Sequence, residues 1–240
     1  MGDTMSTEPG RAPDAAGWAL AVDTSTHLSV VALGSGDGSS VSDVADVGRR
    51  HGASLLEQID RVLTDRGLRP SDLSRIVVGT GPGSFTGLRV GLATAKTLAY
   101  VTGVPLVGVP STDALRRAAV SAGAAGPGAL VVLPAGAHDH YLAGPGETPT
   151  LVAPGALATA LAGREAIAIG LTTALVDEEA IRRGEAALAG LPDALLGLSV
   201  SAGASDASDA ATLVPAYVAL PRGIALAAEE MGWSPDLRSA

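Results

Sequence analysis

Between Gly79 and Tyr100 the chain reads GTGPGSFTGLRVGLATAKTLAY, and this stretch limits the folds open to it. Ile76-Val77-Val78 just before it is short and β-branched, the pattern of a buried strand. A glycine-dense loop follows through Gly87, and from Leu88 to about Val101 the spacing is helical, with Gly103 as the stop. Strand, glycine loop and helix start converge backbone N–H groups and the helix dipole on one spot, where a phosphate could sit. Two known formulas do not fit: Lys96-Thr97 follow Ala95 inside the helix, and the glycines lack the G-x-G-x-x-G spacing. Gly79, Gly81 and Gly83 are the loop candidates.

The same helix repeats Gly87, Gly91, Ala95 and Ala99 every fourth residue, so one stripe of it is nearly bare backbone. Such a stripe admits another element at close range by sterics alone. Glycine inside a helix costs up to about 1 kcal/mol against alanine, so Gly91 needs a packing reason. Two readings stay open: packing on the chain's own sheet, or a partner's helix in the groove.

Around this centre the order is β-β-β-α-β-α-β. Residues 1–16 are polar and read as a disordered tail. Ala19 to Val22 and Leu28 to Leu33 form a hairpin whose polar tip is Asp23-Thr24-Ser25-Thr26, and Val41 to Val47 is a third, edge strand. A helix from about Ala53 to Asp65 carries Leu55, Leu56, Ile59, Val62 and Leu63, with Gly67 as its stop. Strands at Arg75 to Val78 and Val104 to Val109 flank the glycine loop and its helix. Residues 17–110 form a first lobe. The Gly/Ala/Pro-rich run from Ser121 to Gly128 leads into a second, smaller one, taken as 111–220. That lobe has strands at Ala129 to Leu133, His140 to Ala143 and Ile167 to Gly170, a short helix at Pro154 to Leu161, and a helix at Thr172 to Gly190. Residues 221–240 read as a tail.

Composition narrows the functions available. The net charge is −9 and the 16 basic residues are scattered, the opposite of a nucleic-acid footprint. Aromatics are 2%, too few for base-stacking platforms. No cysteine is present, so thiol nucleophiles, disulfides and thiolate metal sites are out. No leader or spanning segment is visible, which predicts a soluble, cytoplasmic protein with no membrane partner. His138 and His140 would share one face of an extended strand and could chelate zinc, but no third ligand accompanies them, and an exposed hairpin tip explains them equally.

The run GPGSFTGLRVG, its alanine-rich helix and the strand Pro105-Leu106-Val107-Gly108-Val109 resemble the signature of the TsaB (YeaZ) family. These are bacterial accessory proteins of tRNA threonylcarbamoyladenosine (t6A) biosynthesis, sometimes labelled M22 peptidase-like. The resemblance implies an α/β, actin-like (ASKHA, ribonuclease H-like) two-lobe fold with a reduced second lobe. In such folds an Asp-Thr-Ser-Thr tip lies against nucleotide phosphates, which makes Asp23 and Thr24 vestigial binding candidates. Local hydrogen bonding in turns accounts for the same residues. TsaD, the catalytic paralogue, carries two metal-binding histidines at i and i+4 after the corresponding strand; here those positions are Ser111 and Leu115. The second lobe departs from the family's Asp-Ala-Arg and Glu-x-Tyr, keeping Tyr141, and Pro215-Ala216-Tyr217 resembles its terminal Pro-x-Tyr-Leu-Arg without the arginine.

By resemblance, the chain is a non-catalytic scaffold that heterodimerises with TsaD, works with the ATPase TsaE, and reaches tRNA only through them. ATP and metal would belong to the partners, and no cofactor to this chain. The interface would come from the first-lobe helices, through Leu55, Leu56, Ile59, Gly87, Arg89, Gly91, Leu92, Ala95 and Ala99. The free chain could be a homodimer using the same surface. The competing reading is an autonomous enzyme, either an ASKHA-type ATP-dependent kinase or an M22-like metallopeptidase. The first needs a second phosphate hairpin, the second the metal pair that Ser111 and Leu115 replace.

Overall fold

A computed structural model describes residues 17–46, 51–201 and 212–218. The expected tails at 1–16 and 221–240 lie outside these residues.

Two sheets carry the fold. The first is built from β1 (Trp18–Asp23), β2 (Leu28–Gly34), β3 (Ser40–Asp46), β4 (Leu73–Gly79) and β5 (Leu106–Val109), in the order β3-β2-β1-β4-β5. The hairpin strands are antiparallel, and β4 runs parallel to both β1 and β5. Helices α1 (His51–Thr64) and α2 (Phe85–Thr102) cross between parallel strands, and α3 (Ser111–Ser121) leaves β5. The second sheet contains β6 (Leu130–Ala135), β7 (Asp139–Ala143), β8 (Thr150–Val152) and β9 (Ala166–Ala168), in the order β8-β7-β6-β9. Helix α4 (Leu157–Leu161) precedes β9 and α5 (Glu178–Ser201) follows it. β6 pairs antiparallel with β7 and parallel with β9, as β1 does with β2 and β4. The same β-β-β-α-β-α unit therefore occurs twice.

Strand alternation sorts the core into layers. Leu20, Val22, Val31, Leu33, Ile76 and Val78 face α1 and α2. Ala21, Val30, Ala32 and Val77 face the other way, toward α3 and α5 between the sheets. A third cluster, with Val132, Leu157 and Ala168, lies on the outer side of the second sheet. β3 alternates exposed and half-buried positions, as an edge strand does.

Several boundaries differ from the sequence expectation. α5 begins six residues late, because Asp177 Oδ1 accepts from Ala180 N at 2.6 Å and fixes the start. It also runs past Gly190 and through Pro192; buried Ala187, Leu191 and Leu195 hold it between the sheets despite the missing N–H. β8 is too short to show a period. Arg116 of α3 is 6% exposed and donates to the carbonyls of Ala129 and Ala143, each at 2.9 Å, which ties α3 to the second sheet. Residues 212–218, expected in the second lobe, return to the first: Ala216 N donates to Thr80 O at 2.8 Å. Among the described residues no helix is long and apolar enough to cross a membrane.

Candidate functional site

The hairpin tip and the glycine loop meet at the C-terminal ends of β1 and β4. Asp23 is 1% exposed, and both of its oxygens are engaged. Oδ1 accepts from Ser25 N at 2.8 Å and Ser25 Oγ at 2.7 Å, while Oδ2 accepts from Ser111 Oγ at 2.6 Å. Ser111 Oγ in turn accepts from Gly81 N at 3.0 Å, and Ser111 N donates to Gly81 O at 2.9 Å. Burial pushes the Asp23 carboxyl above its ordinary range, and the bonds from Ser111 and Ser25 pull it part of the way back.

The glycines are there because neighbours have taken their side-chain space. A Cβ on Gly79 would collide with Asp23 Oδ2, one on Gly83 with the Ser25 carbonyl, and one on Gly81 would stand 2.7 Å from Leu88 Cδ1. The structure thus brings Asp23, Thr24, Gly79, Gly81 and Gly83 together, around a hydrogen-bonded knot whose third member is Ser111. Leu115 lies one turn on, fully buried in the core between the sheets.

The small-residue stripe of α2 faces inward. Gly87, Gly91, Leu92, Ala95 and Ala99 are all buried. A Cβ on Gly87 would collide with the Thr24 carbonyl, and one on Gly91 with Thr24 Oγ1, which donates to Gly87 O at 2.7 Å. Leu55 and Ile59 of α1 belong to the same core. The expectation of a partner groove along this stripe is therefore corrected: the hairpin tip fills it at Gly87 and Gly91, and the core between sheet and helices covers Ala95 and Ala99. Spacing identified which residues share a face, and could not say what covers that face.

Of the nine residues expected at an interface, Leu56 and Arg89 are the exposed ones. On α2, Arg89, Ala93, Thr97 and Tyr100 recur at i, i+4, i+8 and i+11 and form an exposed stripe opposite the buried one. Tyr100 is 88% and neighbouring Val101 74% exposed, and Leu56 of α1 is 57% exposed. At the helix start, Arg89 lies 4.0 Å over the Phe85 ring, and its Nε donates to Tyr217 Oη at 3.1 Å. The Phe85 and Tyr217 centroids are 5.4 Å apart. Leu213 of the returning segment fills the space left by Gly108 on β5, where a Cβ would lie 2.6 Å from its Cδ1. Sequence reasoning missed this cluster; its signal was the placement of the single phenylalanine four residues before an arginine.

In the second lobe, His138 and His140 line a cavity of about 250 Å³ with Pro134, Pro154 and Leu175. His138 is exposed and His140 buried, with no partner for Nδ1 among the described residues. Burial lowers the His140 pKa, and neighbouring Asp139 opposes the shift. Among the described residues no group of three or more His, Cys, Asp or Glu side chains is placed to hold a metal.

Comparison with known proteins agrees with this architecture. The family model described as TsaD, tRNA N6-adenosine threonylcarbamoyltransferase, matches residues 45–201. The Bacillus subtilis tRNA threonylcarbamoyladenosine biosynthesis protein TsaB is 36% identical over 96 residues, 40% of this chain and 42% of that protein. The match thus spans less than half the length of that relative. Among solved structures, YeaZ from Pseudomonas aeruginosa gives a TM-score of 0.59 at 24% identity, over 84% of this chain and 99% of that one. A protein with similarity to peptidase YEAZ from the same organism gives 0.62 at 22% identity, over 85% and 100%. The fold is the actin-like, two-lobe α/β fold. The TsaD model covers well over half of the chain, which therefore belongs to that family, and within it the TsaB (YeaZ) proteins are what it resembles in sequence and in fold.

Proposed function

We propose that this chain acts in t6A biosynthesis as a non-catalytic scaffold that heterodimerises with TsaD, for transfer of a threonylcarbamoyl group to adenosine in tRNAs that read ANN codons. TsaE and tRNA join through that complex, and ATP and metal are bound by the partners. One observation carries the non-catalytic part. The two positions matching the paralogue's metal ligands are a serine committed to Asp23 and Gly81 and a leucine sealed in the core. Neither can turn to a ligand without opening the corner on which β1, β4 and α3 meet. The retained glycines then serve packing and not phosphate binding.

The partner surface in this reading is the outer side of α1 and α2, where Leu56, Tyr100 and Val101 stand exposed. A reconstituted tRNA modification assay tests the proposal, using this chain with TsaD, TsaE and the remaining components of the same organism. Modification lost on omitting this chain, and kept when Asp23→Asn replaces the wild type, supports a scaffold. Modification undiminished by the omission removes the reading.

A further inference from the structure

Arg89 is held in one orientation by the chain itself. The Phe85 ring supports one face of its guanidinium, and the Tyr217 hydroxyl oxygen accepts a hydrogen bond from Nε–H. The two Nη groups have no partner among the described residues, and the side chain is exposed. A long cation normally loses rotamer freedom when it pairs; here that freedom is already spent. What remains is a fixed fork of N–H donors, the shape that meets a carboxylate in two parallel bonds.

The surroundings point to a protein partner. Ala93 and Thr97 leave the middle of the exposed stripe low, and Tyr100 closes its far end, a surface against which a helix can lie. One fixed arginine on a chain of net charge −9 does not make a track for a nucleic-acid backbone. Arginine and tyrosine together are what dominate binding energy at protein interfaces.

We infer that Arg89 is a preset receptor for an aspartate or glutamate side chain on the docking helix of TsaD, with Phe85 and Tyr217 as its positioning residues. This rests on the heterodimer proposed above. It gives the segment 212–218 a role, since Leu213 in its notch by Gly108 and Ala216 on Thr80 fix the hydroxyl that aims the guanidinium.

Calorimetric titration of the full chain with TsaD tests it. Arg89→Ala is expected to weaken binding by about 10-fold or more, and Arg89→Lys nearly as much, because an ammonium keeps the charge and loses the fork. The affinity of Arg89→Ala should fall less steeply with added salt than that of the wild type, while Arg89→Lys, which keeps the charge, should follow the wild-type slope. Tyr217→Phe keeps the ring and frees Nε; it should weaken binding in the wild type and have no further effect in Arg89→Ala. Should Arg89→Ala fail to fold, Arg89→Lys alone decides. Wild-type affinity in both Arg89 variants would overturn the inference and leave the heterodimer standing. No binding by the wild type would overturn both. An undiminished Tyr217→Phe effect in the Arg89→Ala background would remove Tyr217 from the positioning role.

Discussion

The two lobes repeat one backbone plan and fill its corner with opposite chemistry. One residue beyond the last parallel pair, the first lobe has Asp23 beside Gly79 and the second has Leu133 and Ile169. The first corner is a buried carboxylate tied to two serines and a backbone N–H. The second is apolar and continuous with the core between the sheets. A buried carboxylate needs room and donors, so its corner has glycine at 79, 81 and 83 and the serine at the head of α3. The apolar corner needs neither. Conserving a backbone path is thus no guide to which of its ends carries polar chemistry; the neighbours' donors are.

The sharpest way to break this comparison is at Gly91. Gly91→Leu should abolish soluble, folded protein, because any side chain there enters the space of Thr24. A folded variant, checked by circular dichroism and yield, would return the stripe to a partner. Next comes the apolar corner, where Ile169→Ala should lower unfolding free energy by about 2–5 kcal/mol in denaturant titration. The polar corner should respond less: Ser111→Ala strips Asp23 Oδ2 and Gly81 N of a partner, about 1–3 kcal/mol. If Ser111→Ala matched the wild type, the knot would not be what holds that corner.

The smallest effects should appear in pH profiles, with opposite slopes. The raised Asp23 pKa means that its folded-state advantage is complete below 3.8, the ordinary value, and is lost as pH rises through the folded one. Asp23→Asn should therefore gain on the wild type as pH climbs through that window. The lowered His140 pKa works the other way: its contribution is complete above 6.5 and is lost as pH falls through the folded value. His140→Gln should gain on the wild type toward acid. Melting curves across pH read both, and parallel curves would show that neither group titrates differently on folding.

The sequence made the first lobe legible for local reasons. β-branched strands, an interrupted glycine loop and a helix stopped by Gly103, whose φ of 71° is left-handed, each announce themselves within a few residues. Asp23 and Thr24 were found for the same reason, as a polar tip between two apolar runs. The contact from Ser111 to Asp23 spans 88 positions, and the one from Arg89 to Tyr217 spans 128, so no local pattern could place them. Periodicity grouped Gly87, Gly91, Ala95 and Ala99 correctly and left their direction open. α5 was misjudged at both ends because Asp177 and the burial around Pro192 act on it from outside its apolar period.

The central claim is that a chain with one polar corner closed on itself acts through its outer helices on a partner. Light scattering of this chain mixed with TsaD from the same organism tests that most directly. The account predicts a single species with the mass of one copy of each, diminished by Arg89→Ala and untouched by His138→Ala. Two separate species, together with ATP or metal-dependent turnover by this chain alone, would contradict it.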